Sequence, residues 1–290
     1  MNPTSGQWRD LVFGAGTDFR VRTVEGWEDL PPSRYEKKSR TQGHGAHPSK
    51  VWGDERIVTV EGWCWSSAER DAQLAAFQRR MTFDGGEEPL AITVAGRTLT
   101  AWAQLITARP MLIRGEWGLG RFGWLVQWRC PDPRRYGAIH TLSTGLPTSG
   151  GGLVLPMFSG APGVGLDFGA LGNTGQIVLP NAGTAEASIL FKVRGELPQG
   201  YEISATGQRL TYPVAVPPGQ VVELNTADGS VLVEGTASRR GNLTVADWMQ
   251  VPPADATDGT AGTLTVQLTS LGGAYDAAAQ LEALVVDTYW

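Results

Sequence analysis

The segment Trp124–Tyr136 restricts the possible folds more than any other part of the chain. It starts as an alternating strand, with Trp124, Val126 and Trp128 on one side. The strand stops at Pro131 and Pro133, because proline has no N–H to donate to a sheet ladder. We therefore expect a sheet strand that ends abruptly and is followed by the turn-forming run from Asp132 to Tyr136.

The overall composition favours a globular β-protein. The chain has 290 residues, of which 41% are hydrophobic and 18% charged, enough for one large or two medium domains. The 38 glycines and 18 prolines suit a fold with many turns rather than a helical one. The net charge of -5 gives the chain no overall basic character that would recruit nucleic acid.

Charge and tryptophan divide the chain into two parts. Up to His140 there are 19 Lys and Arg against 16 Asp and Glu, whereas from Thr141 there are 5 against 13. All tryptophans except Trp248 and Trp290 precede His140. This predicts two domains, residues 1–141 and 166–290, joined by a Gly/Ser/Pro-rich linker over residues 142–165.

The chain shows no sign of secretion or membrane insertion. Residues 1–8 are polar and lack the apolar core of a signal peptide, and no apolar run is long enough to span a bilayer. The two cysteines, Cys64 and Cys130, form no disulfide-rich pattern. We expect free thiols and synthesis in a reducing cytoplasm.

The first domain is predicted to contain strands with one helix between them. Val58, Val60, Gly62 and Cys64 share one face of a strand over residues 56–65. A helix is expected over residues 67–81, capped by Ser66 and Glu69. The other expected elements are a first hairpin of residues 11–14 with 19–24, a second of 90–94 with 97–102, and strands over 103–114 and 122–129.

The second domain is predicted to be a β-sandwich without an amphipathic helix. Short strands follow one another closely, with turn signals between them. They are expected over residues 176–179, 187–193, 202–205, 208–212, 221–225, 230–234, 262–269 and 281–288.

A long polar loop over residues 30–54 is the first candidate for a functional segment. A loop of this length inside a compact domain is either functional or an assembly arm. It carries a basic cluster of Arg34, Lys37, Lys38 and Arg40, which are expected to contact an acidic neighbour or to be simply solvated. His44 and His47 suggest a metal site, but an ordinary polar loop is the better interpretation, because zinc needs several convergent ligands.

Catalytic and cofactor-binding motifs are not found. The Gly-rich stretches lack the Gly-Lys-Ser/Thr ending of a phosphate loop, and Glu87 and Glu88 have the character of solvated residues. Asp132 and the following Arg134, Arg135 and Tyr136 lack a nucleophile and base, so a structural turn is favoured over a catalytic site. We expect no enzyme activity, no metal and no cofactor.

The tryptophans allow two interpretations. Indole faces can stack on sugars, but Trp63, Trp65, Trp124 and Trp128 alternate within strands, which favours a core or a subunit interface. Trp117, in a turn-like Gly-rich run, is the better candidate for an exposed contact.

Taken in order, these features resemble the distal tail proteins of long-tailed bacteriophages, particularly phages of actinobacteria. The resemblance rests on the opening strand pair, the basic loop with Gly43-His44-Gly45, the Ala-rich helix and the closing Asp132-Pro133-Arg134-Arg135-Tyr136. Further pieces in the second half are the segments 181–187 and 218–226 and the ending Asp287-Thr288-Tyr289-Trp290.

The resemblance implies a mainly β fold and a structural role in the virion. The implied architecture is an N-terminal β-sandwich or barrel-like domain with one α-helix, followed by a galectin-like or jelly-roll β-sandwich. Such proteins form a ring, commonly a hexamer, that joins the tail tube to the tip or baseplate and serves as a hub for fibres or receptor-binding proteins. DNA passes through the pore without sequence-specific binding. The candidate interface residues for such a role are Arg34, Lys37, Lys38, Arg40, His44, Trp117, Arg134, Arg135 and Tyr136.

The sequence is also compatible with two other classes of function. The acidic second domain is compatible with a carbohydrate-binding, lectin-like module, although many sandwiches of this architecture bind no sugar. A glycan-degrading enzyme is the third alternative, for which no carboxylate pair can be named from sequence.

Overall fold

The computed structural model describes residues 4–66, 69–148, 172–272 and 278–290, and these residues are mainly β. The chain divides into two compact units: unit 1 consists of Met1–Gly137 with Tyr289–Trp290, and unit 2 of Ala138–Thr288. The division thus follows Gly137, whereas the sequence places it after residue 141. Residues 142–145 of the predicted linker belong to a strand, and residues 149–165 lie outside the described residues.

Unit 1 contains most of the long strands and both α-helices found in the described residues. Its elements are β1 (Ser5–Trp8), β2 (Leu11–Gly14), β3 (Phe19–Glu25), β4 (Ser33–Tyr35), β5 (Lys38–Ser39), β6 (Ala46–His47), β7 (Val51–Gly53), β8 (Arg56–Trp65), α1 (Arg70–Arg80), β9 (Glu88–Val94), β10 (Arg97–Met111), α2 (Arg114–Gly118), β11 (Arg121–Cys130) and the start of β12 (Arg135–Gly145).

The strands of unit 1 form an antiparallel series in the order β3-β8-β11-β10-β9-β1-β2. The long strand β10 pairs with β9 through Arg97–Ala103 and with β11 through Gln104–Met111. A bulge between Leu105 and Thr107 lies near the start of the half that pairs with β11, and bulges of this kind bend a strand. β10 therefore joins the strands β9, β1 and β2 to the strands β11, β8 and β3, which fits the predicted sandwich or barrel-like domain.

The core of unit 1 is aromatic, which explains why tryptophan is concentrated in the first half of the sequence. Trp8, Trp124 and Trp128 are completely buried, and the Trp8 and Trp128 rings meet edge to face with centroids 5.8 Å apart. Cys64 and Cys130 are buried free thiols, as predicted. Burial raises the pKa of each thiol to about 12.

Several local predictions for unit 1 are confirmed. The inward face of β8 holds Val58, Val60, Gly62 and Cys64. The hairpin of β9 and β10 turns at Ala95 and Gly96, whose φ angles of 52° and 83° are those of a tight two-residue turn.

Other local predictions are wrong. The first hairpin does not form, because β2 pairs with β1 and β3 pairs with β8. The predicted capping box is absent: α1 begins at Arg70, its N-cap is Glu69, and no side chain caps it. The prediction of a single helix is also wrong, since α2 occupies the Gly-rich run around Trp117.

Unit 2 is a two-sheet sandwich. Its elements after β12 are β13 (Gln176–Asn181), β14 (Ile189–Arg194), β15 (Tyr201–Ala205), β16 (Gln208–Tyr212), β17 (Val221–Asn225), β18 (Ser230–Val233), β19 (Ala237–Ser238), a 3-10 turn at Arg240–Asn242, β20 (Val245–Ala246), β21 (Gly262–Ser270) and β22 (Gln280–Tyr289). One sheet has the order β12-β22-β14-β17-β18-β19 and the other β13-β21-β15-β16-β20. Each of the eight predicted strands is present.

The core of unit 2 is mainly aliphatic, in contrast to that of unit 1. Tyr201 and Tyr212 are its buried aromatic pair, stacked with centroids 5.4 Å apart. Nowhere in the described part of the chain is a helix long and apolar enough to cross a membrane.

Candidate assembly interface

The predicted loop is a projecting β-arm, here called the arm (residues 30–54). Two short antiparallel ladders form it, β4 with β7 and, further out, β5 with β6. Gly45, with a φ of 93°, lies in the turn and accepts a hydrogen bond from the Arg40 main chain at 3.1 Å. Every arm residue from Pro32 to Asp54 is exposed, so the arm has no packed core of its own.

The basic residues predicted as a functional cluster lie on the arm. Arg34, Lys37, Lys38, Arg40 and His44 all lie on it and are exposed. Glu36 and Asp54 are its only carboxylates. Among the described residues, none of the arm's charged side chains makes an ion pair. These cations are therefore available to a partner.

The base of the arm is held by a buried arginine that sequence reasoning missed. Arg56, 1% exposed, donates hydrogen bonds through Nη1 to the carbonyl oxygens of Gly26, Trp27 and Asp29 at 2.7, 3.1 and 2.6 Å. Its Nε donates to the carbonyl oxygen of Pro133 at 2.8 Å. The residues before and after the arm are thus joined. The sequence contains a signal for this burial, because Arg56 lies an even number of residues from the buried Val58, Val60 and Cys64 and so shares their face of β8.

Arg135 is buried beside the same region and is not a surface contact. It is 3% exposed, lies 3.2 Å from Glu28 through Nη1, and donates to the main-chain oxygen of Trp290. Burial, followed by the neighbouring charge of Arg135, lowers the pKa of Arg56 to about 10. The predicted interface role of Arg135 is therefore replaced by a structural one at the base of the arm.

Arg134 and Tyr136 stabilise a turn within unit 1 through their side-chain contacts with Asp132. Arg134 donates to Asp132 through Nε and Nη2, both at 2.9 Å, and Tyr136 donates its hydroxyl proton to the same carboxylate. Burial of Asp132 opposes its ionisation, but these hydrogen bonds outweigh it and lower the pKa of the carboxyl group. Burial and the same hydrogen bond raise the pKa of Tyr136. This is the structural turn that the sequence favours.

Trp117 is half-buried rather than freely exposed. It lies in α2, packs against the core of unit 1, and has the guanidinium of Arg70 at 3.7 Å from its ring centroid. Arg70 also donates a hydrogen bond to the Trp117 carbonyl oxygen. The exposed apolar residues at this place are instead its neighbours Leu112, Ile113 and Leu119.

The strand tryptophans divide between core and surface. Trp124 and Trp128 are core residues, Trp63 is half-buried, and Trp65 is 57% exposed. Trp65 pairs across the sheet with Arg121, whose guanidinium lies 5.2 Å from the Trp65 ring centroid.

Exposed large apolar side chains are concentrated in unit 1. Of the sixteen among the described residues, unit 2 holds Ile139, Val178 and Val214, and unit 1 holds the other thirteen. Large exposed apolar patches mark interaction sites. Among the described residues, unit 1 therefore exposes more large apolar side chains than unit 2.

The described residues contain no group of His, Cys, Asp and Glu that could hold a metal ion. His44 and His47 are exposed on the arm, which agrees with the polar-loop interpretation.

No family model matches the chain, and no curated protein matches it in sequence. Among solved structures it is similar to Dit of phage SPP1, described as a paradigm of the hub adsorption apparatus in phages that infect Gram-positive bacteria. The identity is 10%, the match covers 99% of both chains, and the TM-score is 0.66. It is also similar to chains of the phage P2 baseplate in its activated conformation, with Ca or with Sr. For both, the identity is 12% and 97% of each chain is covered, with TM-scores of 0.43 and 0.41. The likeness to SPP1 Dit, across both units, establishes that this chain has the distal tail protein fold.

Proposed function

We propose that this chain is a structural protein of a phage tail tip, a distal tail protein that assembles through unit 1 into a closed ring. The observation that carries the proposal is the match to SPP1 Dit over 99% of both chains, since it includes both units and not only a common sandwich. A fold alone does not fix a function, so the surface must also suit the role.

The surface of unit 1 supports assembly. It holds the arm with its unpaired cations and thirteen of the sixteen exposed large apolar side chains. A ring requires two different faces of one subunit that meet around a closing rotation, and unit 1 offers several distinct exposed surfaces. A hexamer is the copy number expected from the sequence resemblance.

In this role the ring joins the tail tube to the baseplate or tip, and DNA passes through its pore without sequence-specific binding. Unit 2 is a docking platform for fibres or receptor-binding proteins. The protein is made and assembled in the host cytoplasm and is then part of the virion. An actinobacterial host stays a prediction from the sequence.

The first test is the native mass of the purified chain, with negative-stain images of the same sample. We expect a closed ring of several subunits. A variant in which a short Gly/Ser segment replaces residues 33–53 keeps all the carbonyl partners of Arg56, so unit 1 should still fold, but the ring should be lost. A chain that is monomeric alone and with a tail-tube partner would contradict ring assembly and make a glycan screen the next experiment.

A further inference from the structure

Tyr289 and Trp290, here called the strap, belong to unit 1, although residues 138–288 before them form unit 2. Tyr289 packs against the aromatic core of unit 1, and the guanidinium of Arg97 lies 4.9 Å from its ring centroid. Tyr289 is also the last residue of β22. The strap is therefore a piece of unit 1 that the chain supplies after unit 2 is complete.

The ring of Trp290 lies at the base of the arm, beside Gly53. A Cβ at Gly53 would lie 3.3 Å from Cζ3 of Trp290, 3.4 Å from Cγ of Pro31 and 3.6 Å from Cγ of Pro133. Three rings thus line one side of a residue that has no side chain. Gly53 pairs with Ser33 in the ladder of β4 and β7, so this contact lies where the arm begins.

The main chain of Trp290 makes a second contact, to a buried arginine. Nη2 of Arg135 donates a hydrogen bond to the main-chain oxygen of Trp290. Arg135 is 3% exposed, lies 3.2 Å from Glu28, and has its guanidinium 5.6 Å from the ring centroid of Trp27. A buried guanidinium that loses an acceptor is destabilised, so Arg135 favours the state in which the strap is bound.

Contacts at its base decide how rigid the arm is, because the arm has no packed core. The main-chain N–H of Asp54 donates to the carbonyl oxygen of Pro32 at 2.6 Å, and this bond closes the base from within. Trp290 adds an apolar contact from outside the arm. It is 38% exposed, so most of the residue is covered, and a buried indole contributes a large apolar area.

We propose that the strap positions the arm, and that the ladder of β4 and β7 opens locally when the Trp290 ring is absent. Trp290 is a positioning residue in this role, since it acts through Gly53. Parts of a protein with few buried contacts open at a lower free energy than the whole fold, and the arm is such a part. The role belongs to the single chain and does not depend on ring formation.

Hydrogen exchange of main-chain amides, followed by mass spectrometry, tests this role. Trp290→Ala removes the ring but keeps the main-chain oxygen that Arg135 binds. We expect roughly fivefold or faster exchange in peptides that cover residues 31–35 and 51–55. Peptides from α1 and β11 should exchange at the wild-type rate. Each chain is measured at a dilution at which native mass shows single chains, so that no neighbouring copy protects the arm.

Trp102→Ala is the matched control, because Trp102 is a 47% exposed tryptophan of unit 1 outside the arm. It should leave exchange in the arm unchanged. Wild-type exchange of the arm in folded Trp290→Ala would overturn the inference. An equal acceleration throughout unit 1 would overturn it too, because Trp290 would then stabilise the unit as a whole and not the arm.

Substitution from the arm side gives a second measurement. Gly53→Val places a side chain where the Trp290 ring lies and should also speed exchange at the base of the arm. Gly43→Val is its control, since a Cβ at Gly43 would meet nothing within 4 Å. In a chain that already carries Trp290→Ala, Gly53→Val should add less than it does in the wild type. Effects that multiply in full would mean that Gly53 and Trp290 act separately, which contradicts the strap.

The ring test stays independent of this one. A chain that opens locally without its strap but never forms a ring would support the positioning role and count against the proposed function. A chain that forms a ring, with wild-type exchange of the arm in single Trp290→Ala chains, would do the reverse.

Discussion

The guanidinium of Arg56 donates a hydrogen bond of 2.6 Å to the main-chain oxygen of Asp29, and this contact joins the two ends of the arm. The arm itself has no core, so its direction depends on such contacts at its base. Because Arg56 is also the first residue of β8, the base of the arm is fixed to the start of that strand.

Replacement of Arg56 should destabilise unit 1. Arg56→Met keeps most of the side-chain length but leaves the carbonyl oxygens of Gly26, Asp29 and Pro133 without their donor. We expect a loss of about 3 kcal/mol in the free energy of unfolding. Tryptophan fluorescence during denaturation reports unit 1 selectively, since every tryptophan except Trp248 lies in it.

Arg34→Met on the exposed arm is the matched control and should change stability by less than about 0.5 kcal/mol. Equal effects of the two substitutions would mean that the buried hydrogen bonds of Arg56 do not stabilise unit 1.

Arg56 also shows which features of the fold can be predicted from the sequence and which cannot. The alternation of Val58, Val60 and Cys64 predicts the face of β8 because a strand has a period of two residues. The same parity places Arg56 in the core, but a charge is rarely buried without partners, and its partners here are carbonyl oxygens about 27–77 positions away. Patterns along the chain do not reveal such distant partners.

The prediction of how β2 and β3 pair was wrong for a similar reason. The turn from Gly14 to Asp18 suggests a local hairpin, yet β2 pairs with β1 and β3 pairs with β8. The hairpin at Ala95 and Gly96 was predictable because its two-residue turn sets the pairing locally. For the candidate interface, the sequence found the arm and its cations, whereas the exposure of Leu112, Ile113 and Leu119 became visible only in the fold.

Two glycines with similar backbone angles allow a test of close packing at the base of the arm. Gly26 and Gly16 have φ values of 76° and 82°. A Cβ at Gly26 would lie 1.9 Å from the carbonyl oxygen of Ile57, while a Cβ at Gly16 would meet nothing within 4 Å. Gly16→Ala should destabilise by about 1 kcal/mol from backbone strain alone, and Gly26→Ala by clearly more. The same denaturation assay compares them, and equal losses would contradict the packing argument.

The Asp132 turn should make unit 1 sensitive to acid. The folded state lowers the pKa of this carboxyl group below its ordinary value of 3.8, so its stabilisation is present above about pH 4 and is lost as the pH falls through the folded value. Asp132→Asn removes this component and leaves Arg134 without its carboxylate. We expect lower stability at pH 7 and a flatter acid dependence, with Glu36→Gln on the arm as a control that changes neither.

The buried thiols predict the alkaline limit of unit 1. The pKa values of Cys64 and Cys130 are about 12, against an ordinary value of 9.0, so the unfolded state releases these protons first. The two thiols should therefore leave the free energy of unfolding unchanged up to about pH 9 and lower it as the pH rises towards 12. At pH 8 neither thiol should react with a thiol reagent until the chain unfolds, because the thiolate is the reactive form. Replacing both by alanine should remove the part of the fall that begins near pH 9, at some loss of packing, whereas Tyr136, whose pKa is also raised, contributes only above its ordinary value of 10.0. Rapid modification of either thiol in the folded chain would contradict its burial.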